Sequence, residues 1–200
     1  MAREGLCGSI GRTDDARDRL SPFLLPDETL VWTGRPDPGK HLGPVDVFLV
    51  PFGVFWLGFS IFWLVTAVSS GAPFFFPLFG VPFVALGVYF VAGRFLVKAA
   101  GKRRTVYGLT EGRALVAEGE GSLQETSLDR TPVDRRRSRG GRHLTVSFGR
   151  TSGGWASGPS LANSGMGPFD RGGAPFTFYD VADVEGLEAA LRRVREGAAG

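Results

Sequence analysis

The sequence predicts a membrane-anchored α+β protein, in which a hairpin of two transmembrane helices is joined to a small soluble domain. Three observations predict this fold class. Two long apolar segments stand in the first half of the chain, short β-prone runs follow them, and the last segment has apolar residues at helical spacing. At 200 residues, a chain that contains such a hairpin has room for one modest soluble core.

The two apolar segments cover residues 45–68 and 74–97, and each contains one charged residue, Asp46 in the first and Arg94 in the second. A transmembrane helix needs about 20 apolar residues to cross a hydrocarbon core about 30 Å thick. Both segments reach that length. We therefore predict a transmembrane hairpin over residues 45–98, with the guanidinium of Arg94 extending to the membrane interface.

Charge around this hairpin is asymmetric. The connecting loop, residues 69–73, has no charged side chain, whereas basic residues crowd the outer ends of the two spans. The positive-inside rule then places both termini in the cytoplasm and predicts a multi-pass protein of the cell (inner) membrane. The basic residues predicted at the membrane interface after the second span are Lys98, Lys102, Arg103 and Arg104.

Two segments precede the hairpin. Residues 1–20 are rich in Arg, Asp and Gly and show no sustained period, so we expect a disordered N-terminal tail. Residues 21–44 are predicted to be a juxtamembrane segment that includes a short strand at residues 28–33. We expect this strand, with Trp32, to dock on the sheet that begins at Thr105, so that the hairpin is an insertion after the first strand.

Residues 104–196 are predicted to form the cytoplasmic domain. Its β-prone runs predict an antiparallel sheet, with strands at residues 105–110, 113–118, 122–128, 143–148 and 175–179. The Gly, Ser and Pro content of residues 149–173 predicts a flexible loop, which leaves the strand pairing around it open. A C-terminal helix with Asp180 as its N-cap is predicted by apolar residues at helical spacing, Val184, Leu187, Leu191 and Val194.

A run of arginines is the strongest electrostatic feature of the soluble half, Arg135, Arg136, Arg137, Arg139 and Arg142. In a loop near the membrane, these side chains would be attracted to anionic lipid headgroups at about 1 kcal/mol each. A solvated loop tip and a contact with a protein partner are the other interpretations that stay open. Nucleic acid is not expected, because no aromatic residues alternate with the arginines and no nucleic-acid-binding motif surrounds them.

Motifs that carry catalysis are missing from the sequence. It contains no Gly-x-Ser-x-Gly element, no phosphate-binding glycine-rich loop with Lys and no His-Glu-x-x-His helix. Its single cysteine, Cys7, excludes an internal disulfide and a cysteine-based metal cluster. We therefore predict a protein that is not an enzyme, without catalytic residues, metal or cofactor. The alternative is a membrane enzyme or transport accessory subunit that uses the hairpin, and homo-oligomerisation stays open.

A family resemblance is carried by the segment at residues 28–36, by the two spans after it, and by the run Tyr107-Gly108-Leu109-Thr110 followed by Arg113. In this order the elements resemble those of bacterial membrane proteins with a pleckstrin-homology-like domain. The resemblance implies a PH-like sheet or barrel of antiparallel strands, capped by the C-terminal helix. Because a fold does not settle activity, the ligand stays open between anionic lipid and a protein partner.

Overall fold

The computed structural model of the chain describes residues 15–40, 43, 46–119, 121–129, 131–138, 140–149 and 176–197. The chain divides into two compact units, one of residues 1–40, 100–159 and 172–200 and the other of residues 41–99 and 160–171. The chain therefore leaves the first unit before the apolar hairpin and returns to it afterwards, as expected for an insertion. Apart from Gly149, the loop predicted at residues 149–173 lies outside the described residues.

Two helices in the described part of the chain are long and apolar enough to cross a membrane, α1 at Asp46–Ser69 and α2 at Phe75–Arg104. Only 11% of the most apolar stretch of each helix is buried, so most of their Phe, Val and Leu side chains are exposed, unlike those of a soluble core helix. Helix α2 contains one π-helical turn, Tyr89–Gly93. It also extends beyond the predicted span of residues 74–97, because the Lys and Arg residues that follow favour a helix and suit its C-terminal end.

Small residues let α1 and α2 pack closely. A Cβ atom added to Gly87 would lie 2.9 Å from the Cα of Leu57, and one added to Gly80 would lie 2.8 Å from the Trp63 ring. Gly53 likewise faces the other helix, at Phe90, whereas Gly58 has no neighbour within 4 Å of such an atom. Gly53, Gly80 and Gly87 therefore serve the contact between the helices, as small residues do in membrane packing.

Seven antiparallel strands form two sheets in the described part of the first unit. The first sheet has the order β1-β2-β3-β4, with β1 at Leu30–Gly34, β2 at Thr105–Thr110, β3 at Arg113–Glu118 and β4 at Ser122–Ser127. The second has the order β5-β6-β7, with β5 at Val133–Arg137, β6 at Leu144–Phe148 and β7 at Phe176–Val181. Helix α3, at Val184–Gly197, follows the last strand.

Strand β1 pairs with β2, which follows the apolar hairpin in sequence. Gly34 lies opposite Tyr107, and the register shifts between Leu30 and Trp32. The ring of Trp32 is buried and stacks on Phe178 of β7, with the ring centroids 6.0 Å apart. This confirms the predicted docking of the first strand, and residues 21–40 belong to the same compact unit as the sheet.

One core lies between the two sheets and α3. It contains side chains from one face of the first sheet, from the second sheet and from the apolar face of the helix. Its buried members are Trp32, Tyr107, Leu109, Ala114, Val116, Leu144, Val146, Phe148, Phe178, Val181, Leu187, Ala190, Leu191 and Val194. The two sheets and the helix therefore fold as one body.

The N-terminal residues cover the outer face of the first sheet. Residues 15–20 are helical, and Ala16 and Leu20 are buried in a cluster with Val106 and Leu115. The prediction of a disordered tail is therefore wrong for residues 15–20, while residues 1–14 lie outside the described part of the chain. Two apolar residues spaced by four within a charged segment are too few to show a helical period in the sequence.

Helix α3 begins three residues later than its predicted N-cap allows. Asp180 belongs to β7 and has a φ of 51°, in the left-handed region. The cap is Asp183, whose carboxylate accepts the backbone N–H of Gly186 at 3.0 Å. The predicted role of Asp180 is therefore wrong, and its side chain is available for a different contact.

Candidate functional site

The predicted arginine loop is in fact a strand and a turn. Arg135, Arg136 and Arg137 belong to β5 and lie opposite Val146, Thr145 and Leu144 of β6. Arg142 is exposed in the turn between the two strands, and Arg139 lies outside the described residues. The strand was not predicted because arginine is not a typical strand residue. Pairing with the hydrophobic β6 outweighs this local preference.

The strand splits its arginines between two faces. Arg135 and Arg137 share a face with Val133, which packs on the core, whereas Arg136 is exposed on the opposite face. Arg137 donates two hydrogen bonds to Glu188 of α3, at 3.1 and 2.6 Å. These hydrogen bonds raise the pKa of Arg137 and lower the pKa of Glu188. Arg137 is thus paired with an acid, while Arg136 and Arg142 present their charge to solvent.

A buried carboxylate joins the two ends of the chain that flank the hairpin in sequence. Asp180, 4% exposed, accepts hydrogen bonds from the ammonium groups of Lys40 and Lys102, the latter at 2.7 Å. Lys102 also donates to the backbone oxygens of Asp37 and Lys40, at 3.1 and 2.8 Å. We call Lys40, Lys102 and Asp180 the Asp180 clasp. Burial alone would raise the pKa of Asp180, but the hydrogen bonds from the two lysines outweigh it and lower that pKa.

An open cavity of about 630 Å³ lies next to the clasp in sequence and structure. Its lining comes from the segment before the hairpin, from the β5–β6 turn and from the start of α3: Asp37, Gly141, Arg142, His143, Ala182, Asp183, Val184 and Glu185. The Asp37 carboxylate lies 2.8 Å from Nε2 of His143, and this contact lowers the pKa of Asp37. The cavity is therefore lined by both acidic and basic side chains.

The hairpin unit has a charged cluster of its own. Arg94 is fully buried and forms an ion pair with Asp46, and Nζ of Lys98 lies 3.6 Å from the other carboxylate oxygen. An acid on α1 therefore binds Arg94 inside the hairpin, and the position of this pair relative to the membrane interface stays a prediction. The spans thus contain a paired charge, which a hydrocarbon environment tolerates far better than a lone one.

The four basic residues predicted at the interface divide into two pairs. Lys98 and Lys102 are each 6% exposed and bound to acids. Arg103 and Arg104 are exposed. The helical period explains the division, because Lys98 and Lys102 are one helical repeat apart and share a face.

The residues that carry the family resemblance hold the sheets together. The hydroxyl of Tyr107 accepts the backbone N–H of Tyr179 at 3.0 Å, and burial raises the pKa of that hydroxyl, which keeps it protonated. Thr110 closes the β2–β3 turn on the backbone of Arg113, at 3.0 and 3.1 Å. Arg113 binds Glu28 through two nitrogens, at 2.8 and 2.6 Å, and so joins β3 to the segment before β1.

Sequence reasoning missed Asp46 and Asp180, the acids that organise the two clusters. One signal was present, since Arg94, Lys98 and Lys102 recur every four residues and would share one helix face. Such a stripe of cations at the end of an apolar helix indicates buried acidic partners. Among the described residues, no group of three or more His, Cys, Asp or Glu side chains is placed to hold a metal ion.

The described residues thus contain two clusters of buried ion pairs and an exposed basic surface on a strand and a turn. Comparison with known proteins gives this chain no relative: no family model, no curated protein and no solved structure matches it.

Proposed function

We propose that this chain is a non-enzymatic integral membrane protein of the cell membrane, whose cytoplasmic PH-like domain binds anionic lipid headgroups. The observation that carries the proposal is the basic surface of Arg136 and Arg142, which are exposed on a strand and turn of the soluble unit. Arg135 is half-buried on the other face of the same strand and adds positive charge close to them. We call these three residues the arginine surface.

Membrane anchorage is supported by the exposed apolar surfaces of α1 and α2 and by the uncharged connection between them. Arg103 and Arg104, exposed at the end of α2, support a cytoplasmic soluble domain through the positive-inside rule. The PH-like assignment is supported by the four-stranded and three-stranded antiparallel sheets that share one core with a C-terminal helix.

Insertion of the hairpin favours lipid as the ligand. Strands β1 and β2 pair directly, and the chain passes through the hairpin between them, so two chain connections tether the soluble unit to its anchor. Each arginine near an anionic surface contributes only about 1 kcal/mol. Tethering raises the effective concentration of the surface, so that a few such contacts suffice.

Energy transfer tests the proposal on the full chain in nanodiscs. A donor dye is attached to Gly140→Cys in a Cys7→Ser chain, and an acceptor is carried by a tracer lipid. Position 140 is exposed and has room for a side chain. We expect transfer to be more efficient in discs that contain phosphatidylglycerol than in phosphatidylcholine discs, and the difference to shrink as salt screens the charges.

The matched variants remove equal charge from two places. Substitution of glutamine for Arg135, Arg136 and Arg142 should abolish the dependence on anionic lipid. The same substitution at Arg192, Arg193 and Arg195, which are exposed on α3, should preserve it. Equal transfer in neutral and anionic discs would reject lipid as the ligand and leave a protein partner for this surface.

A further inference from the structure

Strand β5 lies at one edge of the three-stranded sheet. The sheet has the order β5-β6-β7, and β5 pairs with β6 along its whole length, Val133–Arg137, without a register shift. Among the described residues, no strand pairs with the opposite edge of β5. A regular edge of this kind is a template on which a further strand can pair.

Hydrogen bonds just beyond the two ends of β5 show which of its backbone groups point outwards. Ser138 donates its N–H to the oxygen of His143. Gly149 donates its N–H to the oxygen of Pro132. In an antiparallel pair, residues bonded in this way alternate with residues whose N–H and C=O groups point away from the partner strand. The residues of β5 that point these groups away from β6 are therefore Val133, Arg135 and Arg137.

The side chains of β5 give this edge a positive charge. The strand contains three arginines and one acid, Asp134. Arg135 and Arg137 lie on the face towards α3 and Arg136 lies on the other, so both faces of an added strand would be next to arginine. Arg137 already binds an acidic side chain, Glu188 of α3, at 2.6 Å. This ion pair shows the type of group that fits beside the edge.

A second copy of the chain is poorly suited to this edge. Two β5 strands paired with each other would bring arginines from both copies together, and like charges opposite each other destabilise a sheet. Strand β4 of a second copy contains one acid, Glu125, which already binds Arg113 of its own sheet. An acidic segment of a different protein has neither disadvantage.

We propose that the outer edge of β5 binds an extended acidic segment of a partner protein, which adds to the three-stranded sheet as a fourth strand. The outward backbone groups of Val133, Arg135 and Arg137 bind the backbone of the segment, and the arginines select its acidic side chains. Since β5 has five residues, a segment of about five to seven residues covers it. This site goes beyond lipid binding by the arginine surface, because it depends on the backbone of the strand.

Fluorescence anisotropy tests the proposal on the full chain in phosphatidylcholine nanodiscs, where no anionic lipid competes. The probe is a dye-labelled heptapeptide, Glu-Glu-Val-Glu-Val-Glu-Glu, which has glutamates on both faces when it is extended. We expect this peptide to bind. A version with methylated backbone nitrogens keeps the charge but cannot donate to the edge, so we expect it to bind roughly tenfold more weakly or less.

A change in the strand itself provides the second comparison. Val133→Pro removes an outward N–H without changing the charge, and proline is tolerated at such a position of an edge strand. Val133→Ala is the matched control, because it shortens the same side chain but keeps the N–H. We expect the proline variant to bind the peptide roughly fivefold more weakly than the alanine variant. If hydrogen exchange shows that Val133→Pro separates β5 from β6, the methylated peptide gives the same comparison on the parent chain.

Three results would overturn the proposal. Absence of binding is the first. Equal binding of the plain and the methylated peptide is the second, because attraction between charges would then explain it without an added strand. The third is a dimer of the chain that Val133→Pro disrupts, which would place a second copy on the edge. The lipid experiment contains no peptide and compares anionic with neutral discs, so the two proposals fail independently.

Discussion

Trp32 donates its indole N–H to the carboxylate of Asp183 at 2.9 Å, which connects the strand before the apolar hairpin to the cap of the last helix. The two residues are 151 positions apart in sequence. The same ring stacks on Phe178 in the core. One side chain thus connects the first strand, the second sheet and α3.

Trp32→Phe and Trp32→Ala should separate the polar from the apolar part of this contact. Phenylalanine keeps a ring in the core but leaves Asp183 without the indole donor, so we expect a loss of about 1 kcal/mol in the free energy of unfolding. Alanine also removes the buried ring, and the expected loss is about 3–5 kcal/mol. Both losses in the free energy of unfolding are measured by chemical denaturation of the full chain in detergent, with unfolding of the soluble domain as the signal. Equal losses for the two variants would contradict this division.

Acid should destabilise the protein partly through Glu28. The hydrogen bond from Arg113 lowers the pKa of Glu28 to about 2. Because the folded-state pKa lies below the unfolded value, the stabilisation is fully present above the ordinary carboxyl range and disappears as the pH falls towards 2. The lowering of the pKa from 4.5 to about 2 corresponds to about 3 kcal/mol. The Glu28 side chain is only 13% exposed, so solvent screens its ion pair with Arg113 only to a limited extent.

Glu28→Gln provides the measurement of this effect. The variant should be less stable than the parent at pH 7, and its free energy of unfolding should change less between about pH 5 and pH 2, the range in which the parent loses this stabilisation. Glu125→Gln is the control, because Glu125 also meets Arg113 but is half exposed. Parallel pH profiles for the parent and Glu28→Gln would show that another carboxyl dominates.

Local composition predicts the two long apolar helices and the first strand, because each depends on signals within one segment. Length and hydropathy identify α1 and α2, and a β-prone run with Trp32 identifies a strand that needs an apolar surface. Pairing of that strand with β2 follows from the lack of another sheet in the chain before the hairpin. The predicted strands β2, β3 and β6 match the observed ones within one residue for the same reason.

Partners of the buried charges could not be predicted from such signals. Arg94 meets Asp46 across 48 positions, and Lys102 meets Asp180 across 78. No short-range period specifies which acid a cation will find after the chain has folded. For the same reason the sequence predicts Asp180 as a helix cap. The residues next to Asp180 in sequence do not indicate that its side chain binds two lysines that lie far away in the chain.

The arginine surface shows the opposite failure, in which a strong local signal misleads. Consecutive arginines favour a solvated loop, yet β5 pairs along its whole length with β6. The stabilisation comes from the partner strand, whose Leu144 and Val146 are fully buried. Tertiary pairing therefore decides the structure of this segment, and it also decides which arginines point towards α3 and which towards solvent.

Gly87→Ala should weaken the contact between the two hairpin helices. An added Cβ would lie 2.9 Å from the Cα of Leu57, so the backbones must separate, and the Trp56–Phe83 stacking near this contact would loosen with them. Gly58→Ala is the matched control, because nothing lies within 4 Å of its added atom and alanine favours a helix. We expect Gly87→Ala to lower the free energy of unfolding in detergent by about 1–3 kcal/mol and Gly58→Ala to leave it unchanged or slightly raised. Equal stability of the two variants would mean that the helices do not depend on close approach at Gly87, and that the paired charges at Asp46 hold the hairpin together without it.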